Sequence, residues 1–168
     1  MTLTATTTIR GGSEALAKGD KILVRGFRNG VIASLAMAMV MMVLGIFDRG
    51  FFAAPSSIWA FWAGPSAYAP TTFSLGFVLG AMGHMMNAAI LGIAFAFIAT
   101  KVLRLTGMTE AILAGTAFAL VVMAVMWTVV LPLSPNGVLV KESAALWVWV
   151  LGHVAYGMTG GLLYARWR

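Results

Sequence analysis

The chain predicts an all-α integral membrane protein: four transmembrane helices in an up-down bundle, arranged as a 2+2 parallel internal repeat. Three observations lead there. The first is composition. Of 168 residues, 61% are hydrophobic and only 10% charged, with a mean hydropathy of +0.94, which is more apolar surface than a soluble domain can hide beneath a polar coat. The second is where the charges are missing. Four windows, 29–47, 73–99, 111–133 and 143–165, contain no Asp, Glu, Lys or Arg, and a helix crosses a bilayer core with about 20 apolar residues. Lipid offers backbone groups no partner, so such segments close their own hydrogen bonds as helices. The short alternating segments of a transmembrane barrel are absent. The third is a repeated pattern. Gly83-His84 followed by Gly92 matches Gly152-His153 followed by Gly161, and these are the only two histidines in the chain.

In order along the chain, residues 1–28 read as an N-terminal tail. Residues 1–12 are polar and Thr/Gly-rich. Within 13–27, apolar Ala15, Leu16, Ile22, Leu23, Val24 and Phe27 alternate with charges, a pattern that fits either a short interfacial helix or a solvated tail. No cleavable leader pattern is visible, so span one is expected to act as an uncleaved signal anchor. Span one opens the membrane domain of residues 29–168. It carries Met37, Met39, Met41 and Met42, which adjacent positions spread over several helix faces, as flexible packing side chains rather than a metal cluster. The loop 48–72 holds Phe51, Phe52, Trp59, Phe61, Trp62 and Tyr68 between Pro55, Pro65 and Pro70. Pro55 can open a short helix and Gly64-Pro65 close it. Two readings stay open for Trp59, Phe61 and Trp62: an aromatic belt at the outer interface, or a surface that docks a partner or lipid. Glu110 suits the N-terminus of span three. Ser134-Pro135-Asn136-Gly137 reads as a tight turn, and Ser143 as the cap of span four.

Charge sets the orientation. Nine of the 11 basic residues (Arg10, Lys18, Lys21, Arg25, Arg28, Lys101, Arg104, Arg166 and Arg168) fall on one side of a four-span topology, and Arg49 and Lys141 on the other. The positive-inside rule then puts both termini in the cytoplasm, in a bacterial-type inner (plasma) membrane. The net charge of +6 comes from span-flanking residues and does not form a nucleic-acid patch. With no cysteine, disulfides, thiol catalysis and iron–sulfur ligation drop out.

The repeat extends beyond the histidines. Gly30, Leu35, Val40 and Met41 match Gly115, Leu120, Val125 and Met126 at one offset, and Phe95 matches Tyr164 at the histidine offset. Each half has two spans, so both insert the same way up. His84 and His153 then sit at similar depth, each about 15 Å from its span's outer end at 1.5 Å per residue. Asn87 and Tyr156 follow them by one turn as polar intramembrane neighbours. Gly76/Gly80 and Gly157/Gly161 have the spacing of tight helix contacts.

An ionisable group inside a membrane is a functional candidate. The histidines have three readings. Each can stay neutral and hydrogen-bond across the bundle, with Ser34, Thr116, Thr128, Asn87 or Tyr156 as partners. Together they can hold a b-type haem through two axial imidazoles. Or each can bind a chlorin pigment or metal within a larger assembly. No charged residue lies within a span, which disfavours an ion-driven transporter, and no nucleophile–base–acid set is visible. The expectation is therefore a non-enzymatic small integral subunit that packs in or stabilises a larger respiratory, photosynthetic or oxidase-type complex, with membrane lipid and other integral subunits as partners. A haem-carrying electron-transfer subunit is the first alternative, and a small transporter or channel the second.

Overall fold

The computed structural model describes residues 5–167, with side chains from Lys21 to Trp167. Their regular structure is helical, with no strand among them. The elements are α1 (Ala5–Gly45), α2 (Ala53–Ala63), α3 (Leu75–Phe97), α4 (Met108–Val125), α5 (Leu131–Leu133), α6 (Gly137–Glu142) and α7 (Leu146–Trp167). Four stretches are long and apolar enough to cross a membrane: Lys21–Gly45, Leu75–Val102, Met108–Leu133 and Leu146–Trp167. They overlap the four uncharged windows, the first beginning eight residues earlier, at Lys21. α1 runs unbroken from Ala5 through the first span, with no break to set off a separate helix over 13–27. Residues 1–4 of the predicted tail lie outside the described residues.

Local chemistry sets the helix ends. Ser74 caps α3, its Oγ accepting from the Phe77 N–H at 3.2 Å. Glu110 takes the predicted place at the start of α4, its Oε2 accepting from the N–H groups of Gly107 at 3.0 Å and Thr106 at 3.3 Å. Gly64 ends α2 with φ +92°, a conformation open to glycine and strained for other residues. α3 continues through a π-turn over Ile98–Val102, and α4 reaches α5 through a π-turn over Met126–Val130. Pro132 lies two residues past the second π-turn. It has no N–H for the carbonyl four residues back, so the ladder loosens there. The expected Ser143 cap is not made: Ser143 Oγ donates to the Val140 carbonyl at 2.8 Å. Asp48, from the far end of α1, serves α7 instead, its Oδ2 accepting from the Ala145 N–H at 2.6 Å.

The long helices stand in the order α3–α1–α7–α4. α1 packs on α3, and α4 on α7, through glycines. A side-chain carbon at Gly26 would fall 2.7 Å from the Ile93 Cα, and one at Gly92 would fall 2.6 Å from the Gly30 Cα. On the other side, a carbon at Gly115 would meet the Gly157 carbonyl at 2.5 Å and the Gly161 Cα at 3.2 Å, while one at Gly161 would meet the Ile112 Cα at 2.7 Å. Absent side chains are what let these backbones touch. α1 also packs on α7, where Met37 and Met41 bury themselves against Gly152. α3 and α4 make no comparable contact. A ring pair bridges them instead, Phe95 lying 5.6 Å from Phe118, and Phe95 also lies 5.9 Å from Tyr164 of α7.

The long loop is folded onto this frame. α2 lies along the start of α3, the backbone of Pro55 resting on Gly80 and that of Ala67 on Gly76. Ser56 and Ser57 are fully buried there because each hydroxyl donates to a carbonyl three residues back, which removes the cost of hiding it. The Gly76/Gly80 spacing therefore serves a loop helix, whereas Gly157/Gly161 serves a neighbouring span. α6 packs on α2, and Asn136 Nδ2 donates to the Phe61 carbonyl at 3.3 Å.

Candidate functional site

His84 sits half-buried on α3, one turn below the Gly80 that carries α2. His153 sits half-buried on α7, with Nδ1 2.8 Å from the Trp149 carbonyl. The hydrogen bond makes Nδ1 the protonated nitrogen and leaves the Nε2 lone pair free. The two imidazoles lie within electrostatic reach of each other. The His153 ring stacks obliquely 6.2 Å from Trp149, which stands 6.3 Å from Trp127. None of the expected hydroxyl partners bonds a histidine. Thr116 and Thr128 donate to carbonyls on their own helix, and Ser34 Oγ is buried without a partner.

Tyr156 and Asn87, matched in sequence, have opposite surroundings. Tyr156 is buried and donates to the Ala88 carbonyl at 2.8 Å, pinning α7 to α3 one turn beyond the two histidines. Asn87 points outward, exposed, with no hydrogen-bond partner among the described residues. The inward side of α3 at that level belongs to Ala88, Ala89 and Gly92, which α1 covers. A shift of one residue on a helix turns the side chain by about 100°. Asn87 therefore does not join Tyr156 in a polar cavity.

A crevice lies where α3 and α4 fail to meet. Asn29, Gly30, Phe95, Phe118, Tyr156 and Tyr164 line it, and it has room for about one water molecule at most. Asn29 is 6% exposed, yet its Oδ1 has no partner. Sequence reasoning treated Asn29 only as the first residue of a span. The signal available was its place beside Gly30, on the face that Gly26 and Gly30 press against α3. Tyr164 closes the crevice toward the termini, its hydroxyl 3.2 Å from Thr100 Oγ1. At that end Arg28 stacks 3.7 Å above the Trp167 ring.

A shared haem meets mixed conditions. The free Nε2 of His153 suits an axial ligand. Met37 and Met41, which are 2% and 5% exposed, fill the space beside Gly152, the residue before His153, and Tyr156 holds α7 to the Ala88 carbonyl one turn beyond. Among the described residues no three His, Asp, Glu or Cys side chains gather as a metal site.

The aromatic loop is divided. Trp59 lies against Gly76, and Phe61 packs on the core. Trp62, 76% exposed, is the one of the three that faces outward, with Phe61 edge-on at 4.9 Å. Tyr68, later in the same loop, is half-buried. Burial raises its phenol above the usual value, Arg49 pulls it down, and Glu142 and Asp48 push it up.

Compared with known protein families, with curated proteins and with solved structures, the chain matches none.

Proposed function

We propose that the protein is a non-enzymatic integral subunit of a bacterial-type inner membrane, with both termini cytoplasmic, that packs in and stabilises a larger complex of respiratory, photosynthetic or oxidase type. The observation that carries this reading is Asn87. An amide in the middle of a long apolar helix, facing away from its own bundle and bonded to nothing in it, is costly in hydrocarbon and is relieved when another transmembrane helix brings a partner. Duplication is part of the proposal. Gly30 meets Gly92 as Gly115 meets Gly161, and these are the positions that the sequence alignment of the two halves pairs.

The test is gentle detergent extraction followed by native electrophoresis and mass spectrometry of the band. A subunit migrates well above its monomer. A strictly monomeric particle ends the reading.

The electron-transfer reading, with His84 and His153 as axial ligands of a b-type haem, is favoured by the free Nε2 of His153 and opposed by the closed packing around Met37 and Met41. A reduced-minus-oxidised absorption spectrum decides it. A sharp b-type band lost in both His84→Ala and His153→Ala establishes the redox subunit, and a colourless protein removes it.

A further inference from the structure

Seven residues on α3 follow each other at alternating steps of four and three: Gly76, Gly80, Gly83, Asn87, Ile90, Ala94 and Phe97. This is the spacing of a helix-packing seam. Its first two positions are occupied, because α2 rests on Gly76 and Gly80. From Gly83 onward the seam is open, with Ala94 alone half-buried. Nothing lies within 4 Å of where a Gly83 side chain would project. Asn87 is exposed, and Ile90 and Phe97 are 58% and 54% exposed. Met82 and Met86, 62% and 57% exposed, flank it with flexible side chains that adapt to a partner surface.

We infer that this open part of the α3 seam binds the same seam of a second copy, around a two-fold axis along the membrane normal. The inference rests on the reading of the chain as a membrane subunit. Insertion gives every copy the same orientation, so in a symmetric pair each seam residue meets its own counterpart at the same depth. Only a self-complementary polar group is satisfied by such a meeting. A carboxamide has both donor and acceptor, so Asn87 can bond Asn87 of the second copy. Asn87 is the thirteenth residue of the Leu75–Val102 helix, about 18 Å from its start, where hydrocarbon leaves an amide no other partner. Gly83, one turn earlier, lets the two backbones approach. The α2 helices, seated on Gly76 and Gly80, hold the outer ends apart, so the crossing point falls at Gly83 and Asn87.

The absence of cysteine makes the test direct. Ile90→Cys in the full chain is oxidised in the membrane of the expressing cell, with Val121→Cys, on the exposed face of α4, as the control. The expected result is a disulfide-linked homodimer from Ile90→Cys and none from Val121→Cys. Adding Asn87→Leu should lower the cross-linked yield about five- to tenfold while leaving the thermal unfolding of the monomer unchanged, since Asn87 touches no partner within it. A homodimer indifferent to Asn87→Leu overturns the inference. So does an Ile90→Cys adduct with a different protein, which leaves the subunit reading standing. No adduct of any kind, with a monomeric particle on native electrophoresis, removes both.

Discussion

The α1–α3 pair and the α4–α7 pair are zipped by the same device, yet they stand in different company. In each, glycines bring two backbones into contact along one face. α1, however, also packs on α7, and α3 also receives α2, whereas α4 touches α7 and little else. Only 11% of its apolar window is buried, against 33% for each of the other three. The lesson is that glycine contacts specify a pair, while the position of that pair in the bundle is decided by what else its helices can bury. α1 presents Met37 and Met41 to α7. The corresponding approach of α3 to α4 is blocked by Phe95 and Phe118 and leaves the Asn29 crevice.

The sharpest way to break the comparison is to add side chains at the two zippers. Gly30→Val and Gly161→Val each drive a branched side chain into backbone and should each cost about 3 kcal/mol or more. Gly83→Val, with open space around it, should change monomer stability by less than about 0.5 kcal/mol. Thermal unfolding in detergent checks all three. If Gly161→Val is tolerated and Gly30→Val is not, the two pairs are not held by one device.

Asp48→Ala removes the acceptor that serves the start of α7 from the end of α1, and should cost about 1 kcal/mol. Equal stability in wild type and variant would show that Ala145 finds another acceptor. Asn29→Leu exchanges an unpaired buried acceptor for an apolar side chain of similar size and should gain about 1 kcal/mol. A loss would mean that the crevice holds a bound water that satisfies Oδ1. Tyr156→Phe deletes the hydrogen bond from α7 to the Ala88 carbonyl of α3 and should cost about 0.6 kcal/mol, the usual size for such bonds between apolar helices.

The smallest effect concerns the loop. The folded state holds the Tyr68 phenol above its usual value, so the folded chain keeps that proton to higher pH than the unfolded chain does. The stability it contributes is complete below a pH of about 10 and is lost as pH climbs through the raised value. Tyr68→Phe should flatten the alkaline limb of a stability–pH curve. An unchanged limb would exclude Tyr68 as its source.

Much of the frame was legible in the sequence, because a span is defined by what it lacks, and the windows without charge fall on the four helices. Glycine spacing was legible as a signal of close contact, but not with which neighbour. Gly76 and Gly80 could as well have met a span as a loop helix, since spacing on one helix says nothing about its partner. The site was harder. His84 and His153 could be selected as the only imidazoles in apolar surroundings, but the backbone acceptor that His153 chose, Trp149, is invisible in a list of polar side chains. Asn87 was grouped with Tyr156 by position in a repeat. The angle around the helix separates them, and that angle depends on which face α1 takes.

The reach of Asp48 to Ala145 spans 97 positions of chain. Synthesis delivers Asp48 long before it has made the residue that Asp48 serves. In the folded chain the same carboxylate also lies 3.6 Å from Arg49, and a chain that stops before Ala145 cannot make the longer-range contact. The contact is therefore a mark of completion: a probe of Asp48 accessibility during synthesis distinguishes a finished bundle from one still missing its final strand of message.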